Sequence, residues 1–255
     1  ILTEIRSVYT PLELNDISFA TYNEPNLDEG FKEKLMLMTS MGFQYEHISN
    51  GSMITTELTD FLIQYPQNIK QFRLNIPTLD ESKWKDITGS SVSVLYRMFY
   101  QLEYLFSRSS QLNFPITVIV NGDGGEDHKM EFQKVYQKFA HYKGINLSMT
   151  GLIDRAGTLE GAECETQKLP SGEIDWGDQP LRCNAGYFDN LYFGIKGNVF
   201  YCCHDYHQDY SCGNIHETPL SQLLNSDSYH KQKERFMKDF CRKCEQARPL
   251  QTVNS

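Results

Sequence analysis

The stretch ISFATYNEPNLDEGFKEKLMLMTSMG, residues 17–42, predicts a strand, a turn and a helix in succession. Apolar residues alternate with small or polar ones from Ile17 to Thr21, as they do on a β-strand, and the turn residues Asn23-Glu24-Pro25 follow. We predict that Asp28 caps the helix that comes next and that Gly42 ends it. The apolar face of this helix is formed by Phe31, Leu35, Met38 and Met41. The stretch therefore predicts one complete βα unit.

The same succession of strand and helix recurs along the chain as far as residue 152. Further strands are predicted at residues 43–49, 69–76, 114–120 and 145–152. Helices are predicted at residues 1–8, 55–66, 80–87 and 91–108, and another has Phe132, Val135, Tyr136 and Phe139 on one face. Strands that are joined by helices pair in parallel with right-handed crossovers. The residues thus predict an α/β fold, built as either a doubly wound sheet or a barrel.

The composition is that of a globular protein and gives no sign of a nucleic-acid or membrane partner. Of the 255 residues, 40% are hydrophobic and 13% are aromatic, which is enough to build a full core. The net charge of −9 argues against a nucleic-acid binder. No apolar run reaches the roughly 18 residues that a membrane span needs. The length allows one large domain, or a medium domain with a small appendage.

Polar residues gather where the predicted strands end, and both α/β architectures bind ligands at that edge. The candidates for ligand contacts there are Asn23, Glu24, Ser49, Asn50, Asn75, Asn121 and Arg155. Each one taken alone is also compatible with a role in an ordinary turn. Neither a Walker A loop nor a GxGxxG motif follows the first strand, so a P-loop or Rossmann dinucleotide site is not supported.

All seven cysteines follow residue 163. They are Cys164, Cys183, Cys202, Cys203, Cys212, Cys241 and Cys244. An odd number of cysteines at the end of an acidic, otherwise cysteine-free chain indicates metal ligation in a reducing compartment rather than disulfide bonds. We therefore expect the protein in the cytoplasm.

The spacing of four cysteines indicates one metal centre. A predicted β-hairpin turns at Lys196-Gly197 between Cys183 and Cys202, and a helical pattern from Leu220 to Phe240 leads to Cys241-Arg242-Lys243-Cys244. A CxxC pair can present two thiolates to one metal centre, and the two cysteines beside the hairpin complete a set of four. This chemistry leaves zinc and an iron–sulfur cluster equally open.

Taken together, these motifs resemble those of radical S-adenosylmethionine (radical SAM) enzymes. The spacing Cys183-x13-Gly197-x4-Cys202, then Cys212-Gly213-Asn214-Ile215 and Cys241-x2-Cys244, is similar to a C-terminal auxiliary-cluster module of the SPASM/twitch type. Asn23-Glu24-Pro25 stands where the Gly-Gly-Glu-Pro motif of the superfamily's partial (β/α)6 barrel lies. The resemblance covers most of the chain.

The resemblance implies that the chain is divided into two parts. A partial (β/α)6 barrel in residues 1–157 would bind SAM, and residues 158–255 would form a linker and a small α+β module of β-hairpin and helix. The ligands of one auxiliary [4Fe–4S] cluster would be Cys183, Cys202, Cys241 and Cys244. Only eleven residues follow the last cysteine, which favours the shorter twitch version. Cys203 is not counted, because neighbours on a strand point to opposite faces. His204 and His207 are candidates for alternative ligands, although histidines in a polar loop are more commonly surface residues.

The resemblance also implies roles at the strand ends. Asn23 and Glu24 would bind the methionine ammonium of SAM, with the carboxylate forming the tighter, charge-assisted contact. Other polar contacts to SAM would come from Ser49, Asn50, Asn75 and Asn121. Arg155 is a candidate for the SAM carboxylate, for an anionic group of the substrate, or for a salt bridge with a neighbouring carboxylate. The small residues Gly122 to Gly125 would permit close approach of the backbone.

The CxxxCxxC loop that holds the catalytic [4Fe–4S] cluster of the superfamily is absent from this chain, which also lacks an initiator Met. We expect this loop and its cluster, together with the first barrel strand, in a segment upstream of Ile1. The visible residues would then bind SAM and the second cluster.

The function that the resemblance implies is a radical reaction. Reductive cleavage of SAM would give a 5′-deoxyadenosyl radical that abstracts a hydrogen atom from the substrate, with a reductase, flavodoxin or ferredoxin as electron donor. We expect a ribosomally made peptide as substrate, and the alternative is dehydrogenation or epimerisation of an aminocyclitol or sugar. Cys164 and Cys212 are either inert thiols or, in an epimerase, candidates for the donor of the quenching hydrogen atom. A zinc-stabilised, non-catalytic binding protein and a degenerate relative that keeps only the auxiliary cluster are the other readings.

Overall fold

The computed structural model describes residues 1–10, 17–19, 23–65, 68–152, 155–156, 173–176, 179–186 and 190–250. The chain divides into two compact units. We call Thr10–Leu152 the sheet unit, and Ile1–Tyr9 together with Ile153–Ser255 the cysteine unit. Helix α1 (Leu2–Val8) therefore belongs to the cysteine unit. The two units divide after Leu152, and the predicted domains divide after residue 157.

The sheet unit is a parallel α/β structure, as predicted. Its strands are β1 (Ile17–Ser18), β2 (Tyr45–Ser49), β3 (Ile69–Asn75), β4 (Ile116–Gly122) and β5 (Ile145–Gly151). Its helices are α2 (Phe31–Ser40), α3 (Thr56–Gln64), α4 (Glu81–Thr88), α5 (Val92–Ser107) and α6 (Glu126–Phe139). The strands pair in chain order, each parallel to the next. Residues 20–21, the end of the predicted first strand, lie outside the described residues.

The strand order decides between the two architectures that the residues leave open. Right-handed crossovers that all advance in one direction put the helices on one face, as in a barrel, whereas a doubly wound sheet reverses direction. The face that packs into the core carries Tyr45, His47, Phe72, Leu74, Ile116, Val118 and Val120. The opposite face is half-buried and polar, and on it Gln71 Nε2 donates a hydrogen bond to Thr117 Oγ1 at 2.8 Å. The helices therefore cover one side of the sheet, as they do in a partial barrel.

The path from β1 into α2 differs from the prediction. A 3-10 turn, Pro25–Leu27, lies between them, and the N-cap residue of α2 is Gly30 rather than Asp28. The Asp28 side chain instead accepts the backbone N–H of Gly30 at 3.0 Å and stabilises the turn before the helix.

The start of β4 also differs from the predicted strand at residues 114–120. β4 begins after Pro115, because proline has no N–H to donate to the sheet.

The cysteine unit contains short strands and helices. Its strands are β6 (Leu181–Cys183), β7 (Tyr192–Phe193), β8 (Asn198–Phe200), β9 (Gly213–Asn214) and β10 (Ala247–Pro249), and α1 is followed there by α7 (Leu220–Leu224) and α8 (Asp227–Asp239). β6 pairs antiparallel with β10, and β7, β8 and β9 form an antiparallel sheet. β7 and β8 are the predicted hairpin. Its turn requires Gly197, whose φ is +83° and whose added Cβ would lie 2.5 Å from the His216 ring.

The helical pattern predicted from Leu220 to Phe240 is interrupted. The Ser226 hydroxyl accepts the N–H of Tyr229 at 3.1 Å and caps α8, so that α7 ends before it. Serine competes for backbone hydrogen bonds inside a helix and is favoured at its start. The pattern therefore contains two helices.

The packing of α1 explains why the first residues belong to the cysteine unit. α1 packs against α7, and Glu4 Oε2 accepts the N–H of Leu220 at 2.9 Å. Most of the predicted linker at residues 158–182 lies outside the described residues, but the N–H of Ile174 donates to the carbonyl of Arg242 at 2.9 Å. In the described part of the chain, none of the helices combines the length and the apolar character needed to cross a membrane.

His47 in β2 is buried, and its Nε2 atom has no hydrogen-bond partner. Its Nδ1 lies 2.7 Å from the Tyr45 hydroxyl, and the rings of Phe31 and Phe72 pack against it. Burial lowers the pKa of His47 from 6.5 to about 3. Between these two values the unfolded chain binds a proton that the folded chain does not bind. The free energy of unfolding therefore falls as the pH falls through this window.

From about pH 6 to pH 4, this histidine is expected to lower the free energy of unfolding by about 2.5 kcal/mol. The variant His47→Gln, which keeps an acceptor for Tyr45, should lose that share of the acid destabilisation. Urea unfolding at both pH values measures the difference. The control is His141→Gln, because His141 is exposed. An unchanged pH dependence in His47→Gln would contradict the prediction.

Candidate functional site

The four predicted cluster ligands line one pocket in the cysteine unit. Cys183 ends β6, Cys202 follows β8, and the 3-10 turn after α8 carries Cys241 with Cys244 directly behind it. The rest of the lining consists of Arg182, His204, Phe236, Phe240 and Ala247. The thiols are thus brought together among largely apolar side chains.

Two local features gather these cysteines. The N–H of Cys244 donates to the carbonyl of Cys241 at 3.1 Å and closes the turn that carries the CxxC pair. β10 then pairs with β6 so that Ala247 stands opposite Cys183. The strand pairing therefore joins a cysteine from the start of the module to the pair at its end.

The surroundings of three of these thiols favour their neutral form. Burial, reinforced by Cys244 and Cys183, raises the pKa of Cys241 to about 12. Burial, together with Cys183, raises the pKa of Cys244 to about 11. A hydrogen bond with Cys203, followed by burial, raises the pKa of Cys202. Thiolate is the form that binds metal, so metal binding must displace these protons.

The donor set fits an iron–sulfur cluster. Four cysteines are the common ligand set of a [4Fe–4S] cluster. Within the described residues, no group of three or more His, Cys, Asp or Glu side chains is arranged to hold a metal ion. The ligands of a single zinc ion lie about 2.3 Å from it if they are sulfurs, whereas a cluster is larger and holds its ligands farther apart. The four thiols that line the pocket match the ligand set of such a cluster.

Cys203 and His204 have surroundings that the sequence does not predict. β8 ends at Phe200, so strand alternation does not separate Cys203 from Cys202, and the two thiols are hydrogen-bonded. That bond, helped by a second one to the Tyr192 hydroxyl, lowers the pKa of Cys203 to about 7. His204 is buried and lines the pocket, whereas His207, the other predicted alternative ligand, is exposed.

Of the two cysteines considered as hydrogen-atom donors, the structure describes only Cys212. Cys164 lies outside the described residues. The thiol of Cys212 is buried and donates to the carbonyl of Val199 at 3.1 Å. Burial raises the pKa of Cys212 to about 11. This packing gives no support to the donor role of Cys212.

In the sheet unit, Glu24 connects the ends of the first two strands. Its Oε1 accepts hydrogen bonds from the Ser49 hydroxyl at 2.8 Å and from Asn26 Nδ2 at 2.7 Å. Its Oε2 accepts the backbone N–H of Asn50 at 2.7 Å. We call these four residues the Glu24 cluster. It brings together three of the residues predicted to bind SAM, namely Glu24, Ser49 and Asn50.

Asn26 belongs to this cluster although the sequence reasoning missed it. Its Nδ2 also donates to Ser49 Oγ at 3.0 Å, and its Oδ1 is buried without a hydrogen-bond partner. An unpaired buried acceptor beside a carboxylate is a place where a donor such as an ammonium group would be stabilised. The signal in the sequence is a polar residue directly after Asn23-Glu24-Pro25.

The remaining residues predicted to bind SAM do not join the Glu24 cluster. Asn23 is exposed, and Asn75 and Asn121 are half-buried near the ends of the neighbouring strands β3 and β4. Arg155 belongs to the cysteine unit, where its charge adds to the hydrogen bond from Cys202 in lowering the pKa of Cys203. Its backbone is left-handed, with a φ of +51°. A residue with a Cβ pays about 1–2 kcal/mol for that conformation.

The glycine that ends β4 makes room for a histidine. The buried ring of His128 in α6 lies against Gly122, where an added Cβ would be 2.5 Å from it. His128 Nδ1 accepts the N–H of Gly124 at 3.0 Å, so Nε2 carries the hydrogen and donates it to the carbonyl of Val120 at 2.9 Å. The close approach predicted for this loop therefore serves the packing of α6 at Gly122.

Gly122→Ala is expected to lower the free energy of unfolding by about 1–3 kcal/mol, because the new methyl group overlaps the His128 ring. The matched control is Gly151→Ala, since Gly151 pairs with Gly122 across β4 and β5 and has no heavy atom within 4 Å of an added Cβ. The control should stay within about 0.5 kcal/mol of wild type. Urea unfolding measures both, and equal losses would refute the explanation.

Comparison with known proteins identifies the cysteine module. Residues 183–245 match the family model SPASM, an iron-sulfur cluster-binding domain. No curated protein matches the chain in sequence.

Solved structures share the fold at low sequence identity. SuiB of Streptococcus suis bound to S-adenosylmethionine has a TM-score of 0.58 and 12% identity, over 96% of this chain and 62% of SuiB. SuiB bound to precursor peptide SuiA has a TM-score of 0.56 and 10% identity, over 90% of this chain and 57% of SuiB. A histidine-tagged form of anSMEcpe with bound AdoMet has a TM-score of 0.53 and 15% identity, over 96% of this chain and 73% of anSMEcpe.

These neighbours show that the chain has the fold of SuiB and anSMEcpe, two proteins that were each solved with bound S-adenosylmethionine. More particularly, the chain combines this fold with a C-terminal SPASM domain. The predicted resemblance is confirmed, and so is the predicted fold class, an α/β partial barrel with a small cysteine-rich module. The chain spans 57% to 62% of the length of SuiB.

Proposed function

We propose that this protein is a cytoplasmic radical SAM enzyme that modifies a peptide. The observation that carries the proposal is the pocket lined by Cys183, Cys202, Cys241 and Cys244, which lies within the matched SPASM domain. Four thiols around an apolar pocket are suited to hold a [4Fe–4S] cluster, a group that transfers single electrons. The catalytic cluster would be held by a CxxxCxxC segment upstream of Ile1.

The Glu24 cluster is the proposed site for the methionine end of SAM. The Glu24 carboxylate and the unpaired Asn26 Oδ1 provide two acceptors for the ammonium group. Ser49 and Asn50 hold the carboxylate through hydrogen bonds of 2.8 and 2.7 Å, so the acceptor is oriented in advance. When bound, SAM and the catalytic cluster supply the radical that abstracts a hydrogen atom from the substrate.

The polar face of the sheet is the proposed surface for the substrate. Glu46 and Arg73 form an ion pair on it, and Gln71 contacts Arg73 and Thr117 through hydrogen bonds of 3.3 and 2.8 Å. Such side chains offer donors and acceptors to a peptide backbone. A peptide is favoured over an aminocyclitol because SuiB is seen with precursor peptide SuiA and anSMEcpe with the Kp18Cys peptide.

The test uses the full-length protein, reconstituted anaerobically with iron and sulfide. With SAM, dithionite and a synthetic peptide library, we expect 5′-deoxyadenosine to form and the mass of a peptide to change, both followed by mass spectrometry. A ferredoxin or flavodoxin with its reductase should replace dithionite. Two [4Fe–4S] clusters correspond to about eight iron atoms per chain.

The two other interpretations, a zinc-stabilised binding protein and a degenerate relative, each predict a different outcome of this experiment. About one zinc ion and a colourless protein would favour the binding protein. About four iron atoms and no 5′-deoxyadenosine would favour the degenerate relative. If 5′-deoxyadenosine formation responds to an aminocyclitol and to none of the peptides, the substrate class proposed here is wrong.

A further inference from the structure

His204 lines the same pocket as the four cysteines and is only 2% exposed. It stands two residues after Cys202, in the turn that follows β8. His207, three residues further on, is exposed, so the burial of His204 is not a property of the whole loop. A polar ring that is buried among thiols is stabilised only if it forms hydrogen bonds there.

His204 contacts two of the predicted cluster ligands. Its backbone N–H lies 3.4 Å from Cys202 Sγ, and its ring Nδ1 lies 3.6 Å from Cys244 Sγ. Sulfur is larger than oxygen, so these distances are those of hydrogen bonds to sulfur. Cys202 and Cys244 are separated along the chain by β9, α7 and α8. His204 therefore connects a cysteine from the middle of the module with one at its end.

Binding of iron decides the direction of the ring contact. A cysteine that ligates iron has lost its proton, so its sulfur can only accept a hydrogen bond. The Nδ1 atom of His204 must then carry the hydrogen. A hydrogen bond draws negative charge from the sulfur, and the reduced cluster carries one more negative charge than the oxidised one. Such a donor therefore stabilises the reduced state more strongly.

We propose that His204 is a positioning residue for the auxiliary cluster, whose Nδ1–H donates a hydrogen bond to the Cys244 thiolate and raises the reduction potential of the cluster. The inference rests on the proposed function, because it requires a cluster on the four cysteines. It assigns to His204 neither a bond to iron nor a proton transfer.

The experiment compares the midpoint potentials of wild type, His204→Leu and His204→Asn. It uses the iron-reconstituted chain of residues 1–255, whose cysteines all follow residue 163, so that the auxiliary cluster is observed alone. Leucine fills the space without a donor, whereas asparagine keeps an N–H near the position of Nδ1. His207→Leu is the matched control. Redox titration followed by electron paramagnetic resonance gives the potential, and iron analysis gives the occupancy.

At the potential where half of the wild-type cluster is reduced, the ratio of reduced to oxidised cluster should fall about tenfold in His204→Leu, a shift of about 59 mV to lower potential. His204→Asn should recover most of the wild-type value, and His207→Leu should not differ from wild type. If only His204→Leu loses iron while His204→Asn keeps it, the donor is needed for assembly, which also supports the inference.

Other results would overturn the inference in distinguishable ways. Equal midpoint potentials in wild type and His204→Leu would show that the ring does not act on the cluster. Loss of iron in both His204 variants, or changed g-values in both, would mean that His204 binds iron directly. A wild-type chain that takes up no iron at all would refute the proposed function, and the inference with it.

Discussion

Cys202→Ala is expected to abolish the auxiliary cluster. Iron in the anaerobically reconstituted chain should fall from about four atoms per chain to near zero, because a [4Fe–4S] cluster is held by one thiolate at each iron. Cys202 lines the pocket together with the other three cysteines, and no fifth cysteine among the described residues lines it. Iron analysis and visible absorption measure the loss.

Cys212→Ala is the matched control for this experiment. Cys202 and Cys212 are both 6% exposed and belong to the same unit, but Cys212 does not line the pocket. The control loses the bond from its thiol to the carbonyl of Val199 and its hydrogen bond with Tyr201, and neither partner lines the pocket. Its iron content should therefore remain at about four atoms per chain. Equal losses in the two variants would mean that destabilisation of the unit removes the iron, and the assignment of Cys202 as a ligand would fail.

Glu24→Gln is expected to weaken SAM binding to the reconstituted full-length protein by about 10- to 100-fold. The variant removes the charge that faces the ammonium group, and a hydrogen bond to a charged group contributes about 1.5–3 kcal/mol. Equilibrium dialysis with labelled SAM measures the affinity. The amide NH2 group of the Glu24→Gln variant cannot accept the N–H of Asn50. We therefore also expect its free energy of unfolding to fall by about 1–2 kcal/mol.

The control for Glu24→Gln is Glu103→Gln. Glu103 is an exposed carboxylate of the same unit, paired with Lys138 at 2.8 Å. The Glu103→Gln variant should bind SAM as wild type does. A thermal melt of each variant establishes that the protein is folded at the temperature of the binding assay. Unchanged affinity in a folded Glu24→Gln protein would exclude Glu24 from the SAM site.

Much of the sheet unit can be predicted because its signals are local. The alternation of apolar residues in β3 and the spacing of apolar residues in α6 arise from backbone geometry, which every segment carries with it. Asp28 shows the limit of such reasoning. Its side chain prefers the start of a helix, but the 3-10 turn at Pro25–Leu27 leaves it two residues too early.

The cysteine unit shows the same limit at the candidate site. The spacing of Cys183, Cys202, Cys241 and Cys244 predicts a shared metal centre, and the structure places all four on one pocket. The contact between Cys202 and Cys203 cannot be read from the sequence, because it depends on the residue at which β8 ends. The burial of His204 cannot be predicted from the sequence either, because the sequence of a polar loop does not indicate which side chains will cover a histidine in it.

By itself the sequence determined the order of strands and helices in the sheet unit, the hairpin at Gly197 and the grouping of the cysteines. Those features follow from the preferences of neighbouring residues and from spacing along the chain. Only the tertiary structure decided that the strands pair in chain order, that α1 joins the cysteine unit and that Asn26 completes the Glu24 cluster. These outcomes depend on contacts between segments that are far apart in the chain, and local preferences contain no information about such contacts.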